Sequence, residues 1–475
     1  MSQTAKRPNI VLIISDDHGR EALGCYGNPV VKTPNLDALA AEGIRFSNSF
    51  CTTASCAPSR SVVLTGLHNH TNGTFGLTHS PHNFSIAEGI KTLPIYLGEA
   101  GYRTGRIGKQ HYRPVSQFPF DWDPEETSKA ISSYDAQEVH GDDDDEAYRR
   151  VRDDMLKADH CADFINQEDD RPFFLYFASY NPHRENVRPD HPLRPDDFGN
   201  PTEDFPCDKE LKFDPDDVIV PSFLTDTPET RAELAEYYQS INRLDRGIGR
   251  LIKHLEDAGV MDNTVIMYLT DNGSAFPVSK TTLYEPSMRL PFIIRSPLHK
   301  GRGVVNDAMV NWADITPTIM DFAGRPMEKA EEFLGESILP ILDDPDAKEW
   351  RDEVFSAHSF HQVTNYYPMR VIRTRKYKFF YNIAWKLAYP TASDLWRSGA
   401  LQSAMREGDT IGKRTFDSYI NRPMFELYDL DEDPDEVNNL AADPAFADMV
   451  EDFKERIKVY QKATKDPWLH KWEYE

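Results

Sequence analysis

Short apolar runs that break off at acidic, basic or imidazole side chains recur along this chain, and they restrict its fold more than any other feature. Arg7–Ser15 (RPNIVLIIS) ends at Asp16 and Asp17, and Tyr102–Ile107 is followed by Lys109 and His111. Phe173–Ser179 (FFLYFAS) leads to His183, and Thr264–Leu269 (TVIMYL) to Asp271 and Asn272. Each run has the length and composition of a buried strand. Helical patterns stand between them. Thr33–Glu42 opens on a capping threonine and a first-turn proline; Val151, Met155, Ala158, Ala162 and Ile165 recur at helical steps; a longer helix covers Pro228–Ala258. This alternation predicts an α/β fold, a mixed but mostly parallel sheet flanked by helices. In such a sheet the strand C-termini share one edge, where ligands of open α/β folds bind. An aspartate after one strand is ordinarily a turn or cap residue, but a whole series of polar strand ends predicts a common site.

At 475 residues the chain exceeds what a single core fills, and its texture changes near residue 350. Residues 1–350 read as a catalytic α/β domain. Residues 351–475 read as a smaller domain of antiparallel strands plus a helix, from Met369–Tyr381, Phe425–Leu430 and a final helix with Phe446, Met449, Val450, Phe453, Ile457 and Tyr460 on one face. The net charge of −25 argues against nucleic acid as a partner and disfavours long polyanions, leaving short anionic substrates that enter a local basic pocket end-on. The apolar run Ile10–Ile14 is too short for a membrane span and meets Asp16 and Asp17, so neither a membrane partner nor a signal peptide is expected. With Met1 followed by the polar stretch Ser2–Pro8, the chain reads as cytoplasmic, or periplasmic if an export signal has been removed. A homodimer stays open. The five cysteines Cys25, Cys51, Cys56, Cys161 and Cys207 are an odd set without CxxC spacing, which fits neither a disulfide framework nor structural zinc. The acidic run Asp142–Glu146 reads as a solvated loop.

Asp16, Asp17, Asp271 and Asn272 offer only oxygen donors, a set suited to calcium and secondarily to magnesium; zinc would ask for histidine or cysteine. Cys56-Ala57-Pro58-Ser59-Arg60 places a cysteine where Pro58 predicts a first helical turn and Gly66 a stop. The helix N-terminus and Arg60 would lower the thiol pKa and attract an anion. On these grounds Cys56 is either a thiolate nucleophile or a cysteine that happens to start a helix. His68, His70, His79 and His82 form a loop group without zinc spacing, read as substrate contacts or loop packing.

The string CAPSRSVVLTG, from Cys56 to Gly66, matches the sulfatase signature CxPSRxxxLTG. RPNIVLIISDD, TPNLDALAAEGIRF, GYRTGRIGKQH, NPH, TDNG, KTTLYEPSMRLP, DITPTIMDFAG and ELYDLDEDPDEVNNLA extend the resemblance along the chain. It resembles type I sulfatases of the alkaline phosphatase superfamily. Within them it is most similar to the heparan N-sulfatases, or sulfamidases, through Leu67–Phe84, His361–Arg370 and Asp466-Pro467-Trp468, although Lys280 stands where the animal sulfamidases carry arginine. The resemblance implies an alkaline-phosphatase-like fold and a Cys56 oxidised to formylglycine by a maturation enzyme. It further implies calcium held by Asp16, Asp17, Cys56 as formylglycine, Asp271 and Asn272, and a small sulfated saccharide as substrate. Arg60, Lys109 and Lys280 would hold the sulfuryl oxygens, His183 would protonate the leaving atom, and His111 would help expel sulfate. His361 and Arg370 are expected to touch the saccharide. Phosphonate or phosphate ester hydrolysis and a carbohydrate-binding pseudoenzyme are the competing readings.

Overall fold

The computed structural model describes residues 7–124, 151–184, 198–200, 210–327, 335–344 and 350–474; Asp142–Glu146 and Cys207 lie outside them. The apolar runs form β1 (Asn9–Ser15), β3 (Arg103–Gly108), β4 (Phe173–Ala178) and β5 (Thr264–Thr270). Every residue of these strands is buried. Helices cover both sheet faces, which is why the runs are continuously apolar rather than alternating.

These strands are joined by β2 (Ile44–Phe50), β6 (Phe292–Arg295) and β7 (Val304–Asn311) in a seven-stranded sheet of order β3-β4-β1-β5-β6-β2-β7. All neighbours are parallel except β6, which runs antiparallel to β5 and β2. The mixed sheet therefore takes the expected form, with one reversed strand inserted near its middle. On one face, Val11, Ile13, Leu175, Phe177 and Ile266 pack under Leu244, Ile248 and Leu251 of the Pro228–Asp257 helix and Ala158 and Phe164 of the Asp154–Ile165 helix. On the other, Leu12, Ile14, Tyr176 and Met267 meet Val62, Val63 and Leu64 of the Cys56–Thr65 helix.

The C-terminal part forms a four-stranded antiparallel sheet of β8 (Glu353–Phe360), β9 (Tyr366–Thr374), β10 (Tyr377–Asn382) and β13 (Phe425–Asp429), in the order β13-β10-β9-β8. A two-residue ladder of β11 (Thr410–Ile411) and β12 (Arg414–Thr415) lies apart from it. The Ala447–Ala463 helix sets Val450, Phe453 and Ile457 against Ile372, Phe379 and Leu427 of the sheet, as its apolar face predicts. The opposite face, with Val354, Met369, Val371 and Phe380, merges into the core of the large sheet. Residues of the smaller sheet and its loops thereby reach the large sheet's C-terminal edge. No helix among the described residues is long and apolar enough to cross a membrane.

Candidate active site

The register of the central strands aligns their ends. Gly108 pairs with Ala178, Ile14 with Ala178, and Ser15 with Thr270. The next residues of each strand therefore leave the sheet at one level. Gly108 has φ +89°, and a Cβ there would stand 1.8 Å from the Ala178 carbonyl oxygen, so only glycine allows this turn. It delivers Lys109 to Asp16, with which the ammonium forms a buried ion pair. Asp17 and His111 hold φ of 62° and 37° without being glycine, backbone strain of the kind that collects at functional sites. Tyr237 steadies this turn, donating to the Asp17 carbonyl at 2.7 Å and accepting from Gly19 N at 2.9 Å.

Asp16, Asp17, Asp271 and Cys56 place one ligand atom each within 4.8 Å of one another, all fully buried. Arg60 Nε donates to Asp271 at 2.8 Å, Lys280 Nζ donates to Asp17 at 2.8 Å, and Asn272 Nδ2 donates to Asp17 at 2.6 Å. Burial would raise Asp16, yet Lys109, Arg60 and Lys280 bring it down to about 2. Burial and the Asp16 charge push Asp271 up to about 8, Arg60 notwithstanding, and burial likewise raises Asp17 against the pull of Lys280. Three cations thus face three carboxylates, and burial still makes the cluster's charge costly. Asp16 Oδ1 and Asn272 Oδ1 are buried without a hydrogen-bond partner, an expensive state that a bound cation would relieve. The residues fit a divalent metal with oxygen ligands.

Cys56 begins the Cys56–Thr65 helix, and Gly66 ends it in the left-handed region at φ 72°, as the sequence predicts. One expectation is corrected. The thiol is fully buried, and burial together with Asp16 raises its pKa well above the ordinary value, outweighing Lys109 and Lys280. The pull that the helix N-terminus was expected to exert on the thiol is thus outweighed by burial and Asp16. Cys56 Sγ lies 3.9 Å from Asp17 Oδ1, so an oxygen at this position would join the acidic cluster.

Lys280 Nζ is 3.4 Å from His183 Nε2 and also donates to Asp394 Oδ2 at 2.8 Å. Burial followed by Lys280 and Lys109 holds His183 well below the ordinary imidazole range. His111 is lowered well below it by burial, Lys109 and His79, whose Nδ1 stands 3.3 Å from His111 Nε2. Asp394, from the short Ser393–Trp396 helix, escaped sequence reasoning; no motif surrounds it, and only the chain's return from the smaller sheet brings it here. Burial would raise its carboxyl, but Lys280 and His361 bring it down to about 2.

His361 also arrives from the smaller sheet, but its Nδ1 is 2.9 Å from the Oγ of Ser55, the residue preceding Cys56, so it braces the start of the helix. Arg370 requires a correction. It is fully buried in β9, its Nε and Nη2 paired with both carboxylate oxygens of Asp466 and its Nη1 donating to the His358 and Met369 carbonyls. That leaves no surface for a saccharide, and its part is to tie β9 to the segment after the Ala447–Ala463 helix. The loop histidines divide. His68 and His70 pack on Tyr460 with hydrogen bonds to Tyr460 Oη and Thr464 Oγ1, whereas His79 lies beside His111 and meets His82 edge-on. Cys25, Cys51, Cys56 and Cys161 are free thiols.

Comparisons with known proteins agree with this geometry. The Sulfatase family model matches residues 8–325, and a model for the C-terminal part of N-sulphoglucosamine sulphohydrolase matches residues 277–391. The human N-sulphoglucosamine sulphohydrolase is 36% identical, over 98% of this chain and 92% of its own length. A solved structure described as complexed with its substrate D-glucosamine-2-N,6-O-disulfate has a TM-score of 0.66 at 21% identity, covering 97% of this chain and 99% of the other. The phosphonate monoester hydrolase of Agrobacterium radiobacter shares the fold at a TM-score of 0.67 and 20% identity, covering 96% of each chain. With the signature cysteine set against a buried oxygen-donor cluster, and with family and relative matching along the chain, this protein belongs to the sulfatase family.

Proposed function

We propose that this sulfatase removes the N-sulfo group of a terminal N-sulfoglucosamine in a short saccharide. The observation that carries the reading is the joint placement of Cys56, the acidic cluster and the His183–Lys280 pair at one sheet edge. The 36% identity to the human N-sulphoglucosamine sulphohydrolase supports the choice of substrate. Asp16, Asp17, Asp271 and Asn272 would hold calcium. With a cation bound and Cys56 oxidised to formylglycine, the two would supply a nucleophilic oxygen near neutral pH and a route for expelling sulfate by restoring the aldehyde.

The remaining work falls to side chains already in place. Lys109, Lys280 and Arg60 present fixed positive charge to the sulfuryl oxygens in a site closed to bulk water, where such charge acts most strongly. An anionic sulfo group, by offsetting the Lys280 and Lys109 charges that keep His183 neutral, would let this imidazole carry the proton that it delivers to the leaving nitrogen. His111, within hydrogen-bonding reach of His79, takes the proton released when sulfate departs.

Incubation with N-sulfoglucosamine, O-sulfated glucosamines and aryl phosphonates tests the substrate. Sulfate release from the N-sulfo compound is expected; release from the O-sulfated sugars alone, or preferential phosphonate cleavage, would overturn the reading. His183→Ala should lower N-sulfoglucosamine turnover about 10²- to 10⁴-fold and affect an aryl sulfate, whose leaving group needs no proton, much less. Equal losses on both would remove His183 as the acid. Chelation should remove a ligand that binds only the folded state and so lower the melting temperature. Calcium at about 100 times its Kd should restore on the order of 3 kcal/mol, and equal restoration by magnesium at the same concentration would sink the choice of ion.

A further inference from the structure

We propose that Asp394 receives the ammonium group formed on the sugar nitrogen and so sets the preference for an amine leaving group; this rests on the N-sulfoglucosamine reading. The ligand atoms of Asp17, His183 and Asp394 lie within 4.8 Å of one another, so Asp394 stands beside the group that protonates the leaving atom. Its side chain keeps 13% exposure while that of Lys280 keeps 1%, which sets Asp394 on the solvent side of the buried cations, where a leaving group would sit. Oδ2 is held by Lys280, and Oδ1 makes no hydrogen bond among the described residues. One carboxylate oxygen is thereby fixed and the other is open to a ligand.

An acidic group at this point is costly for a site that must take up an anionic sulfo group, unless the substrate develops positive charge there. Sulfamate hydrolysis does so. In R–NH–SO3⁻ + H2O → R–NH3⁺ + SO4²⁻ the N–S bond breaks with its electron pair staying on nitrogen. One proton comes through His183 and the other from water, and the oxygen gained by sulfur derives from water. An O-sulfate instead gives R–OSO3⁻ + H2O → R–OH + SO4²⁻ + H⁺, in which the leaving group stays neutral and the proton goes to solvent. Only the first product has a cation for Asp394 to hold.

Product binding tests this without requiring turnover. Slightly below neutral pH, calorimetry on the whole protein should show glucosamine binding about 10-fold or more tightly than N-acetylglucosamine. Asp394→Asn should abolish that difference, and Asp394→Glu should restore part of it. In turnover, Asp394→Asn should depress kcat/KM for N-sulfoglucosamine about 10-fold more than for 4-nitrophenyl sulfate. Equal affinity of the wild type for the two sugars would overturn the proposal, as would a parallel loss on both substrates, the signature of a residue that only positions Lys280. A wild type that releases no sulfate from N-sulfoglucosamine defeats the substrate reading instead, a result distinct from either.

Discussion

Cys56→Ala is expected to abolish sulfate release, by at least about 10³-fold given what removal of a covalent nucleophile costs elsewhere, while leaving the fold intact. Alanine at a fully buried helix start removes one sulfur atom and no hydrogen bond on which the helix depends, so thermal unfolding should be almost unchanged. Cys56→Ser is the sharper variant. Serine offers a hydroxyl near Asp17 but has no aldehyde to restore, so it should stop after at most one turnover, with the sulfuryl group left on the protein and visible by mass. Sustained turnover by unconverted serine would show that position 56 acts only as an ordinary hydroxyl or thiol. The burial of the native thiol supports the opposite expectation, since a group held protonated by desolvation and by Asp16 attacks poorly.

Arg370→Ala should cost about 3–5 kcal/mol of stability, because it leaves the Asp466 carboxylate buried without its partner. Burial alone would raise that carboxyl, yet Arg370 outweighs burial and holds it well below the usual carboxylate range. A carboxyl depressed in the folded state contributes stability that is complete above its unfolded pKa of about 4 and is lost as pH falls through the folded value. The melting difference between wild type and Arg370→Ala should therefore be largest near neutral pH and shrink in acid below about pH 4. Thermal scans across that range check it. A saccharide contact would instead raise KM in a protein of unchanged stability.

Much of the fold was legible because its central strands are buried on both faces and end in side chains that have no business in a core. Asp16, Lys109, His183 and Asp271 declare the sheet edge by their chemical contrast with the runs before them. The edge strands hide for physical reasons. β2 (IRFSNSF) carries polar residues, and β6 is four residues long and reversed between two parallel neighbours, so neither shows a continuous apolar signal. Arg370 was misread for want of one inference the sequence permits: an arginine inside the apolar strand YYPMRVIRT points to an inward ion pair sooner than to a ligand. Asp394 gave no local sign at all. It looks like an ordinary first-turn residue of a short helix and gains its place only when the smaller sheet's core merges with that of the larger one.

The reaction depends on what Cys56 becomes. Peptide mass spectrometry on the segment containing Cys56, run on preparations of graded specific activity, measures this directly. A formylglycine nucleophile predicts that activity rises in proportion to the aldehyde fraction and vanishes where only thiol is found. Undiminished sulfate release from protein whose Cys56 is entirely thiol would contradict it.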